Sequence, residues 1–73
     1  NETISFSIYP NPTSNFITIE LNQDSKINII DAIGKNCFTK NMSRGINTIN
    51  ISNLPKGYYF IQVGAQAKKL IIK

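Results

Sequence analysis

The sequence predicts an all-β fold, a small antiparallel β-sandwich of about seven strands. Fourteen isoleucines favour strands, because β-branched side chains suit a pleated sheet. Ten asparagines favour the turns between strands, and alanine and leucine together number only six. Alternating segments recur at roughly ten-residue spacing, which is typical of a sandwich. A chain of 73 residues is expected to form one domain.

Seven segments have the period of a half-buried strand and are separated by turn residues. In chain order the predicted strands are residues 4–8, 16–21, 26–30, 35–42, 46–51, 58–63 and 68–73. The strongest alternation is in 58–63. The segment 35–42 is more polar, and we expect it at a sheet edge.

The segment 26–34 fits two structures. Ile27, Ile30 and Ile33 are three apart, which would suit a helix closed by Gly34. Isoleucine and asparagine are poor helix formers, however, so we favour a strand that ends at Ile30. A turn then follows, in which the Asp31 side chain caps the backbone and Gly34 takes a positive φ.

The composition argues against catalysis. The chain has no histidine and one cysteine, which excludes a histidine-based triad, a Cys–His dyad, a zinc finger and an internal disulfide. Its four carboxylates are scattered, which disfavours a calcium loop. They are Glu2, Glu20, Asp24 and Asp31. We predict that the protein is not an enzyme and uses neither metal nor cofactor.

Cys37 is the only thiol in the chain. A nucleophilic thiol needs a base or a positive neighbour to form the thiolate, and no histidine is present to act as that base. We expect Cys37 to be a small apolar residue in a strand, at least partly buried.

The net charge of +4 meets one criterion for binding nucleic acid. Tyr58, Tyr59 and Phe60 have rings that could stack on bases, but strand alternation divides them between two faces. The basic residues are also spread along the chain. We therefore predict no nucleic-acid partner. No apolar run approaches the ~20 residues that cross a membrane, so we predict no membrane insertion.

Four local patterns follow one another in the chain. They are Tyr9-Pro10-Asn11-Pro12, Asp31-Ala32-Ile33-Gly34-Lys35, Leu54-Pro55-Lys56-Gly57-Tyr58-Tyr59 and Lys69-Leu70-Ile71-Ile72-Lys73. Together they resemble the type A C-terminal sorting domain of the type IX (Por) secretion system, from about Phe6 to Lys73. The residues that match the family motifs are Tyr9, Pro10, Asn11, Pro12, Asp31, Gly34, Lys35, Leu54, Gly57 and Tyr59.

This resemblance implies an immunoglobulin-like β-sandwich and a non-catalytic targeting domain. Residues 1–73 would be a single C-terminal domain of a larger cargo protein, and we expect the chain to be an excised piece, since it does not begin with Met. The implied partners are an outer-membrane translocon and a sortase-like cysteine peptidase that commonly removes the domain. The implied route passes through the periplasm of a Gram-negative bacterium to the cell surface or the medium.

The motif residues also have structural explanations. Pro10 and Pro12 would stiffen a connection and stop it pairing as an edge strand. Asn11 can bond its own backbone two residues on. Gly57 would allow a tight entry into the sixth strand, and Tyr59 would bury its ring while its hydroxyl finds a partner.

The last strand is our candidate recognition strand, with Lys69, Ile71 and Lys73 on one face. A terminal strand can present an unpaired edge to which a partner adds a strand. The alternative role for these lysines is to protect that edge against aggregation.

Two other functions remain open from the sequence. One is an immunoglobulin-like or fibronectin-like accessory module that binds glycan or protein through Tyr58 and Phe60. Exposure of both rings would favour that module, whereas burial of one or both would favour targeting. The other is an inert spacer domain.

Overall fold

The computed structural model describes residues 4–73, which form seven strands and no helix. The strands are β1 (Phe6–Tyr9), β2 (Phe16–Leu21), β3 (Ser25–Asp31), β4 (Asn36–Met42), β5 (Gly45–Asn50), β6 (Gly57–Val63) and β7 (Gln66–Ile72). All seven predicted strands are present, with ends within two residues of those expected. The described residues accordingly contain no helical segment of the length and apolarity needed to cross a membrane.

The strands form two antiparallel sheets that pack as a small β-sandwich, which confirms the predicted fold class. One sheet has three strands in the order β1-β2-β5, and the other has four in the order β4-β3-β6-β7. The polar strand β4 lies at a sheet edge, as expected. The segment 26–34 is a strand and a turn rather than a helix, and it pairs with both β4 and β6.

The core lies between the inner faces of the two sheets. Alternate residues of each central strand point inward, so Ile17 and Ile19 of β2 oppose Ile27 and Ile29 of β3, and all four are fully buried. Burial of each such side chain stabilises the fold by about 1.5–3 kcal/mol. The core residues are Phe6, Ile17, Ile19, Leu21, Ile27, Ile29, Met42, Ile49, Ile51, Tyr59, Ile61, Val63, Leu70 and Ile72.

Candidate recognition surfaces

The loop between β1 and β2 crosses to the free edge of β7. It contains two cis peptide bonds, Tyr9–Pro10 and Asn11–Pro12. Asn11 Nδ2 donates a hydrogen bond to the Lys69 carbonyl oxygen at 2.9 Å, and Asn11 Oδ1 accepts one from the Ile71 N–H at 3.0 Å. The side chain of Asn11 therefore binds the backbone of β7. We expected it to bind its own backbone two residues on, and that expectation was wrong.

Thr13 extends this pairing towards the end of β7. Its N–H donates to the Ile71 carbonyl at 3.0 Å, and its carbonyl accepts from the Lys73 N–H at 2.8 Å. Thr13 is 94% buried, and its hydroxyl donates to the Phe16 carbonyl at the start of β2. The segment from Asn11 to Thr13 thus takes the place of a neighbouring strand.

This contact corrects the prediction that β7 has an unpaired edge. The outward backbone groups from the Lys69 carbonyl to the Lys73 N–H already have hydrogen-bond partners, so a strand of a partner protein cannot pair with that stretch of the edge. The side chains of the candidate recognition strand remain accessible. Lys69 and Lys73 are exposed and Ile71 is half-buried, on the outer face of the four-stranded sheet.

The turn after β3 has the predicted structure. Asp31 Oδ1 accepts hydrogen bonds from the N–H groups of Ile33 at 3.0 Å and Lys35 at 2.8 Å. Asp31 N–H donates to the Lys35 carbonyl, and Gly34 has a φ of 91°. Few residues other than glycine adopt that backbone conformation without strain. The side chain of Asp31 therefore caps the turn, as the sequence predicts.

The third motif brings a loop onto β6. Leu54 packs half-buried against the core, and Gly57 at the start of β6 has a φ of 150°. Tyr59 is 5% exposed, and its hydroxyl donates to the Pro55 carbonyl at 2.5 Å. The predicted burial of this ring and its hydroxyl bond are confirmed.

The pKa of the Tyr59 hydroxyl is raised above its ordinary value of 10.0. Burial is the main cause, because an apolar environment disfavours the charged phenolate. The charges of Cys37 and Asp31 raise it further. The hydroxyl therefore stays protonated, and able to donate, to a higher pH than a tyrosine in water.

Cys37 is exposed, so the prediction that it is at least partly buried was wrong. The pairing of β3 with β4 shifts between Ile29 and Ile30, which lie opposite Phe38 and Asn36. Cys37 is the extra residue of this β-bulge, and β4 is an edge strand. A bulged residue leaves the regular alternation, so the sequence pattern alone does not determine which way it points.

Tyr58 and Phe60 are exposed on the outer face of the four-stranded sheet, by 58% and 42%. Lys69 on β7 places its Nζ 4.7 Å from the centre of the Tyr58 ring, a cation–π contact. Exposure of both rings is the outcome that, from the sequence, favours the accessory binding module over the targeting domain. Strand β6 has one face in the core and one in solvent, and both rings lie on the solvent face.

The described residues offer shallow grooves rather than a deep cleft. One groove of about 420 Å³ is lined by Pro10, Pro12, Phe16 and Lys73, beside the loop that covers β7. No cluster of three or more metal-ligating side chains occurs within residues 4–73. Three motif residues, Asp31, Gly57 and Tyr59, line a second groove of about 270 Å³, whereas Pro10 and Pro12 line the first.

Sequence reasoning missed two residues of these surfaces. Thr13 pairs with Ile72 at the edge of β7 as an isolated parallel bridge. Ile33, in the turn capped by Asp31, is 88% exposed despite its apolar side chain. The local sequence pattern indicated neither residue. Thr13 pairs with a residue 59 positions later in the chain, and Ile33 was expected only as part of a turn.

The comparisons with known proteins bear on the whole chain. A search of the curated proteins finds no match. A family model described as the secretion system C-terminal sorting domain matches residues 7–73. That range includes every motif residue described above and all seven strands except the first residue of β1. The chain therefore belongs to the family of type IX (Por) secretion system C-terminal sorting domains.

Proposed function

We propose that this chain is a non-catalytic C-terminal targeting domain that directs a larger cargo protein across the outer membrane by the type IX secretion system. The observation that carries the proposal is the family match over residues 7–73. Membership implies export to the cell surface or the medium. The route would include the periplasm, where the folded domain meets the outer-membrane translocon.

The structure suggests how the motifs would serve recognition. Asn11 and Thr13 hold the loop against β7, so the exposed prolines of that loop lie beside Lys69 and Lys73. We infer a composite recognition surface made of this loop and the side chains of β7. It differs from strand addition, because it needs no free backbone edge.

A sortase-like cysteine peptidase would remove the domain after translocation. The sandwich is closed by contacts within residues 4–73, and its first strand begins at Phe6. A cut before β1 would therefore leave every strand of the domain in place. Only the family relationship supports this step.

A secretion assay tests the targeting function. Residues 1–73 are fused behind an export signal and a fluorescent reporter, and the fusion is expressed in a bacterium with a type IX system and in the same strain without its translocon. Reporter at the surface or in the medium of the first strain alone supports the proposal. Reporter retained in the periplasm of both strains, with the domain shown to be folded, contradicts it.

Surface variants of the same fusion test the composite surface. Deleting residues 69–73 is unsuitable, because Leu70 and Ile72 are in the core and the deletion would unfold the domain. The variant K69S/K73S changes only exposed side chains and is expected to lower export. The matched control is K40S, also an exposed lysine but at the opposite edge of the sheet. Equal export by both variants would show that the lysines of β7 are not recognised.

An accessory module that binds glycan or protein is the second candidate. The exposure of both Tyr58 and Phe60 on one face favours it, since exposed aromatic rings are common in binding sites. A folded domain that is not exported, yet binds in a glycan or protein screen through these rings, would support the module over the targeting domain.

A further inference from the structure

The exposed large hydrophobic side chains of residues 4–73 fall on two opposite surfaces. Strand register places three of them on the outer face of the three-stranded sheet, and the others lie at one end of the four-stranded sheet. The first group is Tyr9, Phe16 and Ile46, and the second is Ile33, Tyr58 and Phe60. Single exposed apolar residues are ordinary, but groups of them mark interaction sites.

Ile33 and Tyr58 are neighbours in space. Together with Lys56 they line a groove of about 270 Å³ between the Asp31 turn and the start of β6. Ile33 is 88% exposed and Tyr58 58% exposed. Phe60 lies two residues further along the same face of β6, opposite Ile30 on β3 and Lys69 on β7. The three apolar side chains form one continuous patch.

The turn holds Ile33 in this exposed position. The N–H groups of Ile33 and Lys35 both donate to Asp31 Oδ1, and these two hydrogen bonds fix the backbone on both sides of the Ile33 carbonyl. An apolar side chain on a fixed turn loses little conformational entropy when a partner covers it. The carboxylate of Asp31 lines the same groove and offsets part of the positive charge there, and Lys56 and Lys69 leave the surroundings of Tyr58 positive on balance.

The charge around the two apolar surfaces differs in sign. The outer face of the four-stranded sheet carries Lys26, Lys69 and Lys73, and its described strands place no carboxylate on that face. Lys56 adds a fourth amine beside Tyr58. The strands of the other sheet carry Glu20 opposite Ile46 and no lysine or arginine. Only the first surface would attract an acidic partner.

We propose that Ile33, Lys56, Tyr58, Phe60 and Lys69 form a docking surface, here called the Ile33–Tyr58 surface, for a protein partner with an apolar pocket bordered by carboxylates. This inference rests on the proposed function, since the partner would be the protein by which the translocon recognises the domain. A second copy of the chain is a poor occupant, because two such surfaces would bring Lys56 and Lys69 of both copies together with only the Asp31 carboxylates to offset them.

Export of the reporter fusion tests the surface, with matched substitutions on the two faces. The variant Y58T/F60T removes both rings of the Ile33–Tyr58 surface, and I46T removes an apolar group from the opposite face. Threonine is a good strand former, and all three side chains are exposed, so both variants are expected to fold. We expect export to fall at least about tenfold for Y58T/F60T, as for loss of central aromatic anchors, and less than about twofold for I46T.

Charge is tested at Lys69 in the same fusion. K69E is expected to lower export, and K69R is expected to retain it, because arginine keeps both the charge and the cation–π contact with Tyr58. Near-wild-type export of K69E, with the domain folded, would overturn the acidic partner.

Crosslinking in the living cell identifies the partner's chemistry. A photoreactive phenylalanine analogue is placed at position 33 or 58, and at 46 as the control. The proposal expects one envelope protein joined at 33 and 58 but not at 46. It also expects a carbodiimide to join the amine of Lys56 or Lys69 to an aspartate or glutamate of that protein.

Several outcomes would overturn the surface while the targeting function stands. They are export of wild-type fusion without a crosslink at 33 and 58, equal crosslinks from both faces, a crosslink to a second copy of the chain, and wild-type export of Y58T/F60T. Failure of the wild-type fusion to be exported would instead overturn the targeting function, and this inference with it.

Discussion

The side chain of Asn11 pairs with the backbone of Ile71, 60 residues later, as one strand pairs with the next. Its Oδ1 accepts from the Ile71 N–H at 3.0 Å, and its Nδ2 donates to the carbonyl of Lys69, two residues earlier on β7, at 2.9 Å. A carboxamide has the same donor and acceptor groups as a peptide unit, so it satisfies an edge that would otherwise be open to another chain.

The first prediction concerns this contact. N11A removes both hydrogen bonds and is expected to lower the free energy of unfolding by about 1–2 kcal/mol, since each bond contributes about 0.5–1.5 kcal/mol. N11D keeps the acceptor but turns a carboxylate oxygen towards the Lys69 carbonyl, and this repulsion should make its cost no smaller than that of N11A. Urea unfolding measures both. The control N53A alters an exposed loop asparagine and should stay within about 0.5 kcal/mol of wild type. Equal stability of N11A and N53A would show that the contact contributes nothing.

The second prediction concerns the turn after β3. Gly34 has a φ of 91°, and a Cβ added there would meet no atom within 4 Å. The cost of G34A is therefore one of backbone conformation alone, and we expect a loss of about 1 kcal/mol or more. G34N is the matched variant and should cost less, because asparagine tolerates positive φ. Thermal unfolding measures which of the two variants is less stable. A larger loss for G34N than for G34A would show that side-chain volume, and not φ, sets the cost.

The third prediction follows from the raised pKa of Tyr59. The unfolded chain releases this proton near the ordinary pKa of 10.0, and the folded chain releases it only at higher pH. Between these two values the unfolded state binds fewer protons, so stability falls as the pH rises. The stabilisation from Tyr59 is therefore complete below about pH 10 and is lost as the pH passes through the folded-state pKa.

Urea unfolding of Y59F across this range tests the assignment. Y59F should be less stable than wild type by about 1 kcal/mol near neutral pH, because the bond to the Pro55 carbonyl is lost. Its stability should then decline less steeply than that of wild type above about pH 10. The control Y58F alters an exposed hydroxyl and should keep the wild-type slope. If Y59F and Y58F had the same slope, the titrating group would be another one.

The fourth prediction concerns the exposed thiol. Cys37 is solvent-accessible in the folded chain, so a maleimide should label native and urea-unfolded protein at similar rates. A reference chain, C37S/S14C, places the thiol in an exposed loop position and sets the rate for free access. Labelling of native Cys37 more than about tenfold slower than this reference would show that the bulge shields the sulfur.

Much of the architecture could be predicted because it depends on local patterns. Alternation in 16–21 puts Ile17 and Ile19 on one face and alternation in 58–63 puts Tyr59 and Ile61 on one face, and these are the faces that the structure buries. The Asp31 turn was also predictable, because its hydrogen bonds join residues at most four apart. The burial of the Tyr59 ring agrees with the same alternation.

The errors have a common cause in contacts and irregularities that a local pattern does not encode. The loop that covers the β7 edge and the bulge that turns Cys37 outward both depend on which strands lie side by side. Alternation separated Tyr58 and Phe60 from Tyr59, but it did not show that their face would be left uncovered.

The sequence by itself determined that this chain forms seven strands, which side chains share a face of each regular strand, and which family motifs it carries. Only the tertiary structure decided that Asn11 and Thr13 close the edge of β7, and that Ile33 and Tyr58 line one groove with Lys56. The physical reason is the distance along the chain over which each interaction acts. Side-chain alternation and turn chemistry act within a few residues, whereas edge pairing and surface patches join segments that the folded sheets alone bring together.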